Sequence, residues 1–227
     1  VHITKLGFDA DEMLHGLEKW VRCESPTYDP LAVNRMQDIA VREMGLMGAS
    51  IKRLSLNSLA GDCVKAQFPH PNLGQPGILI IGHMDTVHPI GTLDYLPFKR
   101  EADICYGPGI CDMKGGNYLA LEAVRQLQKN GLETPLPISV LFTSDEEIGS
   151  PYTRQLIEFE AAQAKVVLVP EPARKNNGVV SGRYAIARYD VTTSGRPSHA
   201  GSKLEEGRSA IKQMAKNILN IEAMTTK

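Results

Sequence analysis

With 227 residues, 42% of them hydrophobic and 22% charged, the chain has the make-up of a soluble globular protein and the length for one full domain plus part of another. Lys and Arg total 25 against 26 Asp and Glu, so no bulk field draws in nucleic acid or anionic lipid, and neither is expected as a partner. The four cysteines, Cys23, Cys63, Cys105 and Cys111, form no CxxC pair, which argues against a disulfide framework and a thiolate zinc site and fits a reducing compartment. No apolar run approaches the ~18 residues of a membrane span. Val1 to Asp9 carry no charged-then-apolar leader pattern, so a cytoplasmic protein is expected.

Met13, Leu14, Leu17, Trp20 and Val21 recur at helical spacing after the capping residue Asp9, which predicts an amphipathic helix ended by Ser25-Pro26. Pro30 opens a second helix running to about Met47. Ser50 to Leu56 and Asp62 to Phe68 alternate as strands. Gly77 to Ile81 is a short, continuous apolar strand, the kind found inside a parallel sheet covered on both faces. The Gly-rich segment Gly107 to Gly116 leads into a helix of about fifteen residues, closed by Asn130-Gly131. Pro137 to Phe142 is another buried strand, Ser150-Pro151 caps the next helix, and Lys165 to Val169 is a further strand. Strands alternating with helices specify an α/β layered sheet. The character changes after Gly178: Val179 to Thr193 alternates like an exposed antiparallel strand, and a long helix runs from about Leu204 to Met224. A boundary near Gly182 leaves a second unit of about 45 residues, too few to close a core alone.

In an open α/β sheet the ligand site lies outside the carboxyl ends of the strands, and the polar residues collect there. Gly77–Ile81 runs into His83-Met84-Asp85, the Gly-rich segment places Asp112 at a helix start, Ile138–Phe142 runs into Asp145-Glu146-Glu147, and Val166–Val169 runs into Glu171. Imidazole nitrogen and carboxylate oxygen are the ligands of zinc sites that keep a position open for water. A two-metal hydrolase also needs one carboxylate between ions ~3.5–4 Å apart. Asp112 is the natural bridge, because its short side chain sits between glycines where backbone and metals can approach. Asp85 suits a partner that fixes the tautomer of His83.

Each piece has a plainer reading. A His-x-Asp after a buried strand also describes a hydrogen-bonded structural histidine. Gly107-x-Gly109 could begin a dinucleotide fingerprint, but Asp112 occupies the third glycine position and that reading fails. Ser144-x-x-Glu147 matches a capping box, yet Gly149 interrupts it and Ser150-Pro151 is the better helix start. Three adjacent carboxylates usually mark a solvated loop, but directly after a buried strand their self-repulsion is costly without a cation. Falling together at equivalent strand ends, these signals point to a metal site.

The segments Gly82-His83-Met84-Asp85-Thr86-Val87, Tyr106 to Gly116, Thr143 to Ser150, Glu171-Pro172 and Gly195-Arg196-Pro197-Ser198-His199-Ala200-Gly201 resemble the zinc peptidase family of carboxypeptidase G-type glutamate carboxypeptidases, aminoacylases, acetylornithine deacetylases and succinyl-diaminopimelate desuccinylases. The carboxypeptidase G type looks like the nearest branch. The resemblance implies a catalytic domain over residues 1–182, with a mixed, largely parallel sheet and helices on both faces. Residues 183–227 would begin a smaller α+β lid that pairs with its twin in a homodimer. It implies two zinc ions, with cobalt or manganese as substitutes: His83 and Glu171 on one, Glu147 on the other, and Asp112 bridging both. Asp85 would orient His83, Glu146 would be the general base, and His199 would reach the partner's site to stabilise the oxyanion. The bond Asp112–Met113 would be cis. The implied reaction is hydrolysis of an amide bond beside a free carboxylate, with an N-acyl-amino-acid deacylase or a catalytically silent dimerisation module as alternatives. One departure stands out. The family's last zinc ligand is a histidine near the end of a longer chain, whereas the histidines here are His2, His15, His70, His83, His88 and His199. The expectation is that the sequence stops inside the lid, with the remaining ligand and most substrate-gripping residues beyond Lys227 or on another chain.

Overall fold

The computed structural model describes residues 6–184 and 186–226. Val1 to Lys5, which include His2 and part of the stretch read for a leader, lie outside the described residues, as do Ala185 and Lys227. The chain divides into two compact units, Val1–Gly178 and Val179–Lys227.

The first unit opens with helix α1 (Ala10–Val21), whose Asp9 cap accepts from the N–H groups of Asp11 and Glu12. Helix α2 (Pro30–Leu46) begins on a proline that needs no donor there, with Asp29 accepting from the Ala32 N–H. Then come β1 (Ser50–Leu54), β2 (Cys63–Gln67), β3 (Ile78–His83) and a hairpin of β4 (Lys99–Glu101) and β5 (Ile104–Tyr106). Helix α3 (Gly115–Lys129), β6 (Ile138–Thr143), helix α4 (Arg154–Gln163) and β7 (Val166–Leu168) complete it.

Five strands form one sheet in the order β1-β2-β6-β3-β7. β3 is parallel to both β6 and β7, and β2 is antiparallel to both β1 and β6, so β2 alone runs against the other four. The sheet is thus mixed and mostly of one direction. Side chains of a strand alternate between faces, and β3 shows the consequence. Leu79 and Ile81 join Cys63 and Leu141 under Leu156 and Ile157 of α4. Ile80 joins Val64, Val140 and Phe142 under α1, α2 and α3. Trp20 centres that larger core, edge-on to Tyr118 at 5.6 Å and to Phe142 at 6.2 Å. Both faces are therefore covered, and His83 pairs in register with Thr143 at the carboxyl ends of β3 and β6.

Local starts differ from expectation at α4. Ser150 takes a left-handed φ of 54°, and the helix begins only after Thr153, whose hydroxyl donates to Asp145 Oδ1. The turn at 150–153 is therefore held by a buried carboxylate rather than by a Ser-Pro cap. Nor does the Ser144 capping box form, because that hydroxyl donates to the Gly61 carbonyl at 2.6 Å. All four cysteines are free thiols. Among the described residues no helix is long and apolar enough to cross a membrane.

The second unit departs further. The strand expected over Val179–Thr193 is absent from its described residues, and Val179, Tyr184, Ile186 and Tyr189 are exposed. Alternation supplies a face, but a strand also needs a neighbour's N–H and C=O groups, and none pairs with this stretch among the described residues. The expected long helix is broken in two. A 3-10 turn at Leu204–Glu206 is followed by α5 (Ala210–Glu222), capped by the Ser209 hydroxyl at the Lys212 N–H. Between them Arg208 pairs backbone to backbone with Arg196, 2.9 Å in both directions, which a continuous helix would forbid.

Candidate metal centre

The site is built around His83, the last residue of β3, whose ring is buried. Its Nδ1 lies 2.9 Å from the backbone carbonyl of Asp85, which can only accept, so Nδ1 carries a proton and Nε2 faces the rim. The carboxylate of Asp85 is also buried and collects donors from three segments. Thr27 Oγ1 donates to it at 2.8 Å, and the N–H groups of Glu146 and Glu147 approach at 3.3 and 3.2 Å. Burial opposes ionisation of Asp85, but the His83 imidazole and these donors outweigh it and hold its carboxyl below the usual range. One carboxylate thereby ties the α1–α2 connection, the end of β3 and the turn after β6 together.

Above this base stand the acidic side chains. His83 Nε2 is 3.0 Å from Asp112 Oδ1, 3.6 Å from Glu171 Oε1 and 3.8 Å from Glu146 Oε2. Ligand atoms of His83, Asp112 and Glu147 all lie within 4.8 Å of one another, close enough to share one ion. The donor set is one imidazole among carboxylates and is short of positive charge. Burial disfavours protonation of His83, yet hydrogen bonds to Asp85 and Glu171 and the surrounding acids push it up to about 11. Burial first, then the Asp112 carboxylate, pushes Glu147 up to about 7, and burial also raises Glu146. A divalent cation answers both demands, and the residue types suit zinc.

Close backbone approach makes the convergence possible. Asp112 sits in a turn, Ile110–Lys114, entered through Gly109 at a φ of 66°, where a Cβ would lie 2.5 Å from Thr86 Cγ2. The Asp112–Met113 bond is cis. Met113 is buried, with its sulfur 3.3 Å from the His83 backbone nitrogen. At the start of α3 a Cβ on Gly116 would stand 1.7 Å from the Pro170 carbonyl, so only glycine lets the segment bearing Glu171 lie against it.

Residues 79–227 match the model of Peptidase family M20/M25/M40. The chain belongs to this peptidase family. Carboxypeptidase G2 of Pseudomonas sp. (strain RS-16) is 35% identical over 205 residues, 89% of this chain and 49% of its own length. Aminoacylase-1 of Mus musculus is 30% identical over 171 residues, 70% of this chain and 41% of its own length. The chain thus spans less than half the length of these two relatives. A tripeptidase structure from Staphylococcus aureus subsp. aureus mu50 matches with a TM-score of 0.68 at 17% identity, over 92% of this chain and 56% of its own, a likeness of fold.

In this member of peptidase family M20/M25/M40 the structure gathers His83, Asp112, Glu146, Glu147 and Glu171 at one rim, with Asp85 buried beneath His83. His199 belongs to the second unit, exposed, with its Nδ1 accepting from the Gly201 N–H at 3.2 Å. Sequence reading missed Thr27 and Asn117. The Asn117 amide donates to the His83 carbonyl at 2.8 Å, and its Oδ1 fills the space a Cβ on Gly82 would need. No local signal pairs either residue with a strand so distant in sequence. Asp145, grouped above with its two neighbours, turns inward and accepts from the N–H groups of Tyr152 and Thr153. Only Glu146 and Glu147 of that run face the rim.

Proposed function

We propose that this protein hydrolyses an amide bond beside a free carboxylate, as a zinc-dependent, glutamate carboxypeptidase-like enzyme. The observation that carries the reading is the convergence of His83, Asp112 and Glu147 on one point, with the Glu146 carboxylate beside them. His83 and Glu171 would hold one ion and Glu147 the other, with Asp112 serving both. When bound, such ions polarise a carbonyl and bring the pKa of water towards ~7. Glu146 takes the proton of the attacking water and returns it to the leaving nitrogen. Its partial burial supports this role, because a carboxylate raised from its usual range takes up a proton more readily. Asp85 keeps His83 in the tautomer that aims Nε2 at the ion. His199 acts in the partner's site of a homodimer formed through residues 183–227, where it stabilises the oxyanion, and the protein works in the cytoplasm. A deacylase of N-acyl amino acids is the second reading, favoured by the match to aminoacylase-1.

Glu146→Gln is the test. The variant is expected to retain zinc and fold while losing ~10²–10⁴-fold in turnover of N-acyl glutamates, the usual contribution of a positioned base. A near-normal rate would remove Glu146 from the chemistry. Zinc-loaded wild-type protein that cleaves no N-acyl amino acid would instead favour a silent binding module.

A further inference from the structure

The central strand β3 has a neighbour on both sides for only part of its length. β6 accompanies it from Ile78 to His83, whereas β7 pairs with Ile78, Leu79 and Ile80 and ends at Leu168. Along a strand the peptide groups of successive residues point to opposite edges. Met84 donates its N–H to the Thr143 carbonyl at 3.0 Å, toward β6. The N–H and C=O of His83 therefore point to the other edge, beyond the end of β7. His83 is buried, so these two groups need partners that no strand supplies.

Both partners come from the segment that carries Asp112. The His83 N–H donates to Met113 Sδ at 3.3 Å, and Asn117 Nδ2 donates to the His83 carbonyl at 2.8 Å. Met113 follows Asp112 directly, Asn117 lies in the first turn of α3, and both are buried. The same Nδ2 reaches Met84 Sδ at 3.9 Å. Gly82 leaves room for this amide, since a Cβ there would stand 1.8 Å from Asn117 Oδ1. Two side chains thus grip His83 by its N–H and its C=O, as a paired strand would, and both belong to the backbone that bears Asp112.

We infer that Asn117, assisted by Met113, is a positioning residue of the metal centre that fixes the Asp112 carboxylate against the His83 ring. The inference rests on the metal reading of the site and is independent of which bond is hydrolysed. His83 ends a strand, while Asp112 sits in an irregular turn that no strand ladder ties to β3. The 3.0 Å approach of His83 Nε2 to Asp112 Oδ1 is set from behind, by bonds to side chains one and five residues past Asp112. Without them the turn shifts against β3, and the ligand geometry changes although every ligand is still present.

Zinc affinity, measured by competition with a chelator, and the visible absorption of the cobalt-loaded protein test this, beside urea unfolding of the metal-free protein. Asn117→Leu keeps a branched side chain and removes the donor. Met113→Leu conserves volume and removes the sulfur. Asn117→Leu is expected to weaken zinc binding by ~10–100-fold. At full loading its cobalt bands should also shift, since they follow ligand geometry. Met113→Leu should do the same to a smaller extent. A residue that only supports the fold would lower the urea midpoint and leave the affinity and the cobalt spectrum as in wild type, and that result overturns the inference. Should Asn117→Leu not fold, Met113→Leu decides in its place, and wild-type affinity and spectrum there overturn it equally. Weakened binding in the variants supports the inference even where wild type cleaves no amide. Wild-type protein that binds no zinc removes the metal reading and the inference together.

Discussion

Beneath the candidate metal centre, His83 and Asp85 are closed off from solvent, whereas Asp112, Glu146 and Glu171 above them keep 58%, 50% and 38% of their side chains exposed. The lower layer spends its polar atoms on protein partners, with Asp85 alone receiving donors from Thr27, Glu146 and Glu147. The upper layer sets like charges side by side with little to offset them. The difference teaches that the two layers answer to different demands: the base holds the fold and aims one nitrogen, and the rim keeps acceptors ready for a cation. His83 belongs to both, since its ring is packed in the base while its Nε2 faces the acceptors of the rim.

The largest effect expected is on the base. Asp85→Ala leaves the His83 ring without its carboxylate and orphans the donors that now converge on it. Breaking a buried pair in this way costs ~3–5 kcal/mol, and zinc affinity should fall by ~10–100-fold besides, as for other partners of a ligating histidine. Urea unfolding of the metal-free protein and zinc titration measure the two losses. A stability unchanged within ~1 kcal/mol would dissolve the contrast between the layers.

A smaller effect, of opposite sign, is expected on the rim. In the metal-free protein Glu147 is raised from 4.5 to about 7. Because the folded state holds this proton more tightly than the unfolded chain does, the contribution to stability is complete below about 4.5 and is lost as pH rises through about 7. Glu147→Gln should therefore raise the melting temperature of the metal-free protein at pH 8 and flatten that part of its pH profile, while weakening zinc binding. A variant that melts lower than wild type at pH 8 would show that the rim carboxylate supports the fold after all.

Much of this layering was legible in the sequence, for a physical reason. A short apolar run fixes where β3 ends, and the residues that follow it, His83 and Asp85, must emerge at the sheet's rim. Asp112, Glu147 and Glu171 were legible in the same way, each next to a strand end or a glycine turn. Thr27 and Asn117 were not, because their partners are set by how α1, α3 and the sheet pack, and packing has no local spelling. The run Asp145-Glu146-Glu147 looked uniform, but a single turn sends Asp145 inward to Thr153 and the other two outward. Beyond Gly178, the alternation from Val179 to Thr193 recorded a capacity to pair, and the strand itself depends on a neighbour that the stretch cannot specify. The two helical pieces around Gly207 show the same limit, since the Arg196–Arg208 pairing that separates them is a contact distant in sequence.

The account is tested most directly by diffraction from crystals of the zinc-equilibrated protein, recorded on both sides of the zinc absorption edge. The expected result is a pair of anomalous peaks at the rim, one within bonding distance of His83 Nε2, Glu171 and Asp112 and the other of Glu147 and Asp112. An anomalous map empty at that point, or zinc bound only elsewhere, would contradict it.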